Sequence, residues 1–227
     1  MVKGIYEEDI EATVLTTGRY TVEEQVTKET DILTEVLQAD GELIKQTLSS
    51  IDRQTFDLAV DTILKGRRIY IVGLRGSAPL AAFLGSYLNL ICDMVTVVTA
   101  NGAGDLFEQM MRVTKRDVVI GISFPRYSMR TLKAIEFAGN RQAKVITLTD
   151  NIHSPINMYS SCHLIAHSEK MSVVDSLVAP LSVINALVVA LSRKKKRKIS
   201  TALKNLEQIW DEYKVYNRDE LNSLGEF

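Results

Sequence analysis

Short apolar runs recur along the chain from residue 68 onward, and each is continuous rather than alternating with polar residues. A strand that is buried on both faces has this pattern, whereas a half-exposed strand alternates between apolar and polar positions. The pattern therefore predicts strands of a parallel sheet that helices cover on both sides. The predicted strands are residues 68–73, 94–99, 117–123, 144–150 and, with a weaker pattern, 163–166.

The segments between these runs carry apolar residues at spacings of three and four, which is typical of helices with one buried face. These segments are residues 77–91, 105–113 and 128–138, and a brief helical turn begins at Ser154 and Pro155. Repeated strand–helix–strand units imply right-handed crossover connections. The sequence thus predicts an α/β fold, a three-layer αβα sandwich.

Further helices extend this domain at both ends. A long charged helical pattern covers residues 21–51, a second helix follows over 54–65, and a C-terminal helix is centred on residues 203–210. The most apolar stretch is 173–191, but Asp175 and Pro180 are among the residues that interrupt it. A membrane span needs about 20 mostly apolar residues. We therefore expect a buried helix there and no membrane contact.

Composition fits one domain with helical extensions, since the chain has 227 residues, of which 46% are hydrophobic. The net charge of -1 argues against a surface that is basic as a whole and made for DNA or an anionic membrane. Cys92 and Cys162 each lie in an apolar stretch, which indicates reduced core thiols. The first residues lack the apolar core of a signal peptide, so a cytoplasmic location is expected.

One basic run, residues 193–198, contains six consecutive lysines and arginines. It could contact nucleic-acid phosphate. It could equally be a solvated helix junction, because cations are favourable at the C-terminal end of a helix dipole. The second interpretation is favoured, since the chain is otherwise near neutral.

The loop after the first predicted strand is rich in glycine and ends in a hydroxyl. Glycine lets backbone N–H groups approach an anion, and a serine at a helix start can cap the helix or donate to a ligand. An ordinary tight turn would use the same residues, and the spacing fits neither a P-loop nor a dinucleotide fingerprint. The candidate ligand-binding residues of this loop are Gly73, Arg75, Gly76 and Ser77.

The loop after the third predicted strand combines hydroxyls with arginines at the start of a helix. Phosphate binding uses hydroxyl donors, guanidinium groups and a positive helix terminus. The alternative is a capped helix with solvated arginines. The candidate ligand-binding residues of this loop are Ser123, Arg126, Tyr127, Ser128 and Thr131.

The order of these motifs resembles the sugar isomerase (SIS) domain, and more closely the SIS half of the RpiR-type transcriptional regulators. The resemblance covers residues 33–213 and rests on both loops, on the segment 149–155 around His153, and on the segment that begins at Asp175. It implies a flavodoxin-like, five-stranded parallel sheet of order 2-1-3-4-5 that binds a phosphorylated sugar. It also implies that Ser77, Ser123 and Ser128 hold the phosphate. SIS domains usually pair, so a homodimer or tetramer is expected, with the helix over 173–191 as a candidate interface.

The second loop departs from the pattern Ser-x-Ser-Gly-x-Thr-x-Glu of many SIS domains. Pro125 replaces the second serine, Arg126 the glycine, Ser128 the threonine and Arg130 the glutamate. Proline lacks an N–H group. We therefore expect guanidinium groups to hold the phosphate more than backbone amides do.

An aldose–ketose isomerase needs a base beside the sugar, and the sequence offers no convincing one. His153 follows the fourth strand and is a candidate ligand-binding residue, although a surface role is more common there than catalysis. Asp175 either caps the following helix or accepts hydrogen bonds from sugar hydroxyls. His163 and His167 are four residues apart, but the first lies in a predicted strand, so neither a metal site nor a cofactor is expected.

Residues 1–32 are interpreted as a tail and the start of a linker helix, 33–213 as the phosphosugar-binding domain, and 214–227 as a C-terminal tail. A helix-turn-helix head has no room before the linker helix, so the chain is interpreted as an excised sensor domain or a naturally headless homologue. Any contact with DNA would use a head outside this chain. Three hypotheses follow: an effector sensor of an RpiR-type regulator, a sugar-phosphate isomerase, or a dimerisation scaffold without a ligand.

Overall fold

The computed structural model describes residues 31–99, 105–171 and 173–215. Its centre is a five-stranded, all-parallel sheet of strand order β2-β1-β3-β4-β5. The predicted strand order and fold class are thereby confirmed. The strands are β1 (Ile69–Gly73), β2 (Val95–Val98), β3 (Val118–Ile122), β4 (Lys144–Thr149) and β5 (Cys162–Ile165).

Helices cover both faces of the sheet. They are α1 (Ile32–Ser50), α2 (Arg53–Lys65), α3 (Ala78–Ile91), α4 (Asp105–Met110), α5 (Met129–Asn140), α6 (Val178–Lys194) and α7 (Lys196–Glu212). Helices α2, α3 and α6 pack on one face, α4 and α5 pack on the other, and α1 packs on α6. Of the predicted helix over 21–51, residues 21–30 lie outside the described residues.

Alternate residues of the central strands supply two separate hydrophobic cores. Ile69, Ile71 and Ile120 face the core shared with α2, α3 and α6, whereas Tyr70 and Val119 face the core shared with α4 and α5. Successive side chains of a strand point to opposite faces, so burial on both faces requires the uninterrupted apolar runs of the sequence. Every residue of β1 and β3 is buried for this reason.

The prediction of one helix over 173–191 is wrong at its start. Helix α6 begins only at Val178, and Val174–Asp175 forms strand β7, which pairs antiparallel with β6 (Lys170–Met171). Asp175 therefore does not cap the helix, whose N-cap position is Leu177 without a side-chain hydrogen bond. Pro180 is tolerated as the third helical residue, because the first N–H groups of a helix have no intrahelical partner.

Cys162 is buried, as expected of a core thiol, whereas Cys92 is half-buried, and both thiols are free. Burial, with a smaller contribution from the charge of Asp52, raises the pKa of Cys162 to about 11, so this thiol stays protonated. No helix within the described ranges has both the length and the apolar character that crossing a membrane requires.

Helix α6 is anchored in the core by Leu187, which is 1% exposed, whereas Val189 on the same helix is 49% exposed. We expect Leu187→Ala to lower the free energy of unfolding by about 2–5 kcal/mol, because it removes buried methyl groups and leaves a cavity. The matched control Val189→Ala should change it by less than about 1 kcal/mol. Urea unfolding of both variants measures the difference, and equal losses would contradict this placement of the helix.

Candidate ligand-binding site

The two loops singled out from the sequence start side by side. Strands β1 and β3 are neighbours, and Gly73 is paired with Ile122 at their carboxyl ends. A cleft of about 760 Å³ opens above this end of the sheet. Predicted site residues that line it are Gly73, Arg75, Arg126, Tyr127 and Ser128; the other lining residues are Leu74, Ala78, Ala82, Val97, Val98, Thr99, Met129 and Arg130.

The loop after β1 turns tightly into α3 through a single 3-10 turn over Arg75–Ser77. A Cβ atom on Gly73 would lie 2.8 Å from the carbonyl oxygen of Ser77 and 2.9 Å from Cβ of Ala81, so only glycine fits there. Arg75 has a φ of 57°, in the left-handed region that L-residues seldom adopt. The tight turn directs this arginine to the rim of the cleft.

Ser77 lies behind the loop rather than in the cleft lining. It is 6% exposed, and its hydroxyl makes no capping hydrogen bond although the residue occupies the N-cap position of α3. The expected capping role of Ser77 is therefore not observed. Its contact with phosphate stays a prediction.

The loop after β3 is held by two successive hydrogen bonds between backbone and serine. The Ser128 N–H donates to Oγ of Ser123 at 3.3 Å, and the Thr131 N–H donates to Oγ of Ser128 at 3.4 Å. Ser128 is thus the N-cap of α5, one of the two arrangements expected from its spacing with Thr131. Because a hydroxyl can accept and donate together, Ser128 can still donate its proton to a ligand in the cleft.

Arg126 replaces the glycine of many SIS domains and keeps a glycine-like backbone, with a φ of 60°. Its Nη2 atom donates to Oδ2 of Asp175 at 3.2 Å, which joins the loop to strand β7. The next residue, Tyr127, donates its hydroxyl to Oδ1 of Asp150 at 2.8 Å. Burial, assisted by Asp150, raises the pKa of Tyr127, so the phenol remains neutral.

The charged residues among the described lining of the cleft are Arg75, Arg126 and Arg130. All three are exposed, and no carboxylate lies among these lining residues. Guanidinium groups are planar donors that match the oxygens of a phosphate. The cleft can therefore accommodate a dianion at its rim.

The remaining predicted residues do not line the cleft. Ser123 and Thr131 are buried beneath the loop, and the hydroxyl of Thr131 has no hydrogen-bond partner within the described ranges. Gly76 is exposed on the outer side of its turn, and the His153 N–H donates to Asn151 in the loop after β4. Asp175 is joined to the site by its ion pair with Arg126.

Sequence reasoning missed the wall that strand β2 supplies and the contribution of Met129. Val97, Val98 and Thr99 come from the end of β2, and Met129 lies in the first turn of α5. Arg130 lies in the same turn, and the sequence pattern had already indicated it as one of the two arginines of this loop. The expected strand order 2-1-3 could have predicted the wall that comes from β2. In that order β2 borders β1 at the point where the strand order reverses, which is where ligands bind. No group of three or more metal-ligating side chains occurs in the part of the chain that the structure describes.

The SIS domain family profile matches residues 62–190, more than half of the chain. The chain therefore belongs to the SIS domain family. Together with helix-turn-helix-type relatives and the solved domain of an RpiR transcription factor, this match confirms the predicted relation to the RpiR-type regulators.

Two curated relatives are helix-turn-helix-type transcriptional regulators of uncharacterised function. The one from Haemophilus influenzae is 27% identical over 128 residues, 56% of this chain and 43% of its own length. The one from Caldanaerobacter subterraneus is 24% identical over 202 residues, 85% of this chain and 70% of its own length. The chain thus spans less than half of the first relative.

Among solved structures, the sugar isomerase domain of an RpiR transcription factor from Sphaerobacter thermophilus is 26% identical, with a TM-score of 0.75. The match covers 79% of this chain and 99% of that domain. The Vibrio vulnificus NanR protein, solved with ManNAc-6P, has a TM-score of 0.71 at 18% identity, and the match covers 82% of this chain and 70% of NanR. At that identity the likeness to NanR shows a shared fold.

Because Ser128 caps α5, we expect Ser128→Ala to lower the free energy of unfolding by about 1 kcal/mol. Ser200→Ala is a matched control, since Ser200 is an exposed residue inside α7. It should change the stability by less than about 0.5 kcal/mol. Chemical denaturation compares the two variants, and a Ser128 variant as stable as the control would contradict the capping role.

Proposed function

We propose that the chain is the phosphosugar-binding effector sensor of an RpiR-type transcriptional regulator. The observation that carries this proposal is the convergence of Arg75, Arg126 and Arg130 with the Ser128 hydroxyl around one cleft. Such a set binds a phosphate monoester and offers no base beside it.

The size and lining of the cleft favour a sugar phosphate over free phosphate. A volume of about 760 Å³ greatly exceeds one phosphate group and falls within the range of small-molecule sites. Leu74, Ala78, Val97 and Met129 provide an apolar wall next to the arginines. A hexose ring beyond the phosphate would pack against this wall, and the ManNAc-6P bound by NanR belongs to the same chemical class.

The isomerase alternative needs a carboxylate or imidazole that reaches the sugar. Two acids contact the second loop, and each already accepts a hydrogen bond from it: Asp150 from Tyr127, and Asp175 from Arg126. Neither lines the cleft. These contacts support binding without turnover, although solved relatives of the same fold are named as sugar-phosphate isomerases.

A route from the cleft to the N-terminal helix supports a sensor role. Arg126 holds Asp175, and the hydroxyl of the adjacent Ser176 donates to Oδ1 of Asp40 in α1 at 2.5 Å. The same helix is tied to the end of β5, where the His167 N–H donates to Oγ1 of Thr47 at 2.9 Å. A phosphate that takes Arg126 from Asp175 would thus alter the anchorage of α1.

Helix α1 precedes the sheet in sequence, so in a longer regulator it would lead towards an N-terminal helix-turn-helix head. We propose that effector binding changes DNA affinity through this helix, in a homodimer or tetramer in the cytoplasm. Such coupling needs two states that the ligand binds with different affinity. In one state Arg126 would pair with Asp175, and in the other it would pair with the phosphate of the ligand.

Arg126→Gly removes the guanidinium group from the cleft without straining the backbone, so it tests the contribution of this side chain to ligand binding. Glycine adopts a φ of 60° readily, so the free energy of unfolding should change by less than about 1 kcal/mol. Affinity for the sugar phosphate that binds best should fall about tenfold or more, since a charged hydrogen bond contributes about 1.5–3 kcal/mol. Calorimetry with N-acetylmannosamine 6-phosphate, glucosamine 6-phosphate and glucose 6-phosphate measures this loss.

Gln142→Gly is the matched control for this change, because Gln142 has a φ of 61° and does not line the cleft. Its affinity should equal that of the wild type. Absence of binding by every sugar phosphate in the panel would contradict the sensor proposal. Turnover of any of them in a coupled isomerase assay would replace it with the enzyme alternative.

Asp175→Asn tests the route to α1. The affinity for the sugar phosphate should stay equal or become up to about fivefold tighter, because a competing exposed ion pair contributes about 0.2–1 kcal/mol. Hydrogen exchange in residues 32–50 should respond to ligand in the wild type and in the control Asp57→Asn, but not in Asp175→Asn. A response that persists in Asp175→Asn would exclude this route.

A further inference from the structure

The amino ends of the parallel strands form a second charged edge of the sheet. This edge lies at the opposite end of the strands from the ligand cleft. Arg67 and Arg68 precede β1, Lys115 and Arg116 precede β3, and Lys144 is the first residue of β4. Backbone hydrogen bonds hold these turns together: Arg67 N donates to Arg116 O, and Lys144 N donates to Asp117 O, both at 3.0 Å. Turns that are far apart in sequence thus bring their cations to one edge.

A cleft of about 460 Å³ lies between these turns. Its charged lining residues in the described ranges are all cations, Lys65, Arg67, Lys115, Arg116 and Lys144, and the rest of its lining is Thr62, Gly66 and Val118. The whole chain has a net charge of -1. A cleft lined by one sign of charge focuses the electrostatic field and attracts counter-ions.

Nearby protein groups neutralise only part of this charge. Arg67 pairs with the buried Asp117 at 3.2 Å, and Asp117 also accepts two hydrogen bonds from Thr114. Lys115, Arg116 and Lys144 are exposed and are not in ion pairs within the described ranges. Helices α2 and α5 end nearby, and each C-terminus supplies a partial charge of about −0.5. Of the five positive charges, about three remain after Asp117 and the two helix termini are subtracted, so the edge can bind an external anion.

The positive surface continues beyond the cleft. A neighbouring small cleft shares Gly66 and Arg67 and is also lined by Lys195 and Lys198, from the junction of α6 and α7, and by the carboxylate of Asp93. Lys198 is held there by Asp93 at 2.6 Å. The cations therefore form a track along the edge rather than one closed pocket, which fits a chain of phosphates better than a single small anion.

We propose that this edge, defined by Lys65, Arg67, Lys115, Arg116 and Lys144, binds the sugar–phosphate backbone of double-stranded DNA without reading its sequence. Adjacent strands lie about 4.8 Å apart, so the turns before β1, β3 and β4 span about 10 Å. Phosphates of one DNA strand recur every 3.4 Å along the axis, so this span faces about three of them. The described lining of the main cleft holds no aromatic residue on which unpaired bases could stack.

An acidic protein surface fits this edge less well. Specific protein interfaces have an apolar, well-packed centre with charged residues depleted. The main cleft offers Val118 as its one apolar side chain in the described lining. The two curated relatives are named as helix-turn-helix-type transcriptional regulators. In such a regulator, a phosphate contact at this edge would add to the DNA contacts of the helix-turn-helix head.

The test is fluorescence anisotropy of the 227-residue chain with a labelled 20-base-pair duplex of arbitrary sequence. At about 50–150 mM salt we expect weak binding, with a dissociation constant of about 1–100 μM, typical of contacts with phosphates alone. Lys115→Glu, Arg116→Glu and Lys144→Glu in one variant should weaken it at least tenfold. They should also reduce the slope of log affinity against log salt by about 3.

The matched control carries the same charge change on exposed lysines elsewhere, as Lys133→Glu, Lys170→Glu and Lys204→Glu. It should bind DNA at least threefold more tightly than the edge variant. Should the glutamate variant not fold, the corresponding glutamine variant gives the same comparison.

Failure of the wild type to bind the duplex, equal losses in edge and control variants, or binding to heparin or anionic vesicles but not to DNA would each overturn the proposal. Sugar-phosphate affinity of the edge variant should be unchanged, which separates this test from that of the ligand cleft.

Discussion

The pairing of β1 with β3 inside a sheet that is buried on both faces determines where polar chemistry can lie in this domain. Ile69, Ile71, Ile120 and Val119 fill the two cores, so the described interiors of β1 and β3 are apolar apart from the phenol of Tyr70. The charged groups of the two clefts come from the turns and helix ends at the two ends of the strands. The carboxyl end receives three arginines and a serine, and the amino end receives the cations of the strand-entry turns.

Much of the architecture follows from the sequence because short, continuous apolar runs between helical patterns suit a strand that is buried on both faces and little else. The predicted runs contain β1 to β4, whose boundaries in the structure differ from the predictions by at most one residue at each end. The helix predicted over 173–191 was wrong at residues 173–177 because the local pattern there is ambiguous. An apolar composition does not distinguish the short strand β7 from the first turn of a helix, and the pairing with β6 depends on contacts that no local pattern records.

The candidate site was predictable as a pair of loops but not as a set of contacts. The position of Ser77 behind its turn depends on how Gly73 packs against Ala81, which is a tertiary constraint. The charged edge at the amino ends of the strands could not be predicted from the sequence for another reason. A net charge of -1 averages over the whole chain, whereas folding gathers Lys65, Arg116 and Lys144 from three separate turns.

The arginines of the ligand cleft have a consequence for how binding depends on acidity. Arginine side chains keep their charge throughout the physiological range, and burial keeps the phenol of Tyr127 protonated by raising its pKa. The described lining contains no histidine or carboxylate. The proton that matters is then the ligand's own, because a phosphate monoester loses its second proton near a pKa of about 6. Under the proposed function, acidification through this value would weaken binding by protonating the ligand, while the charge of the described cleft lining stays the same.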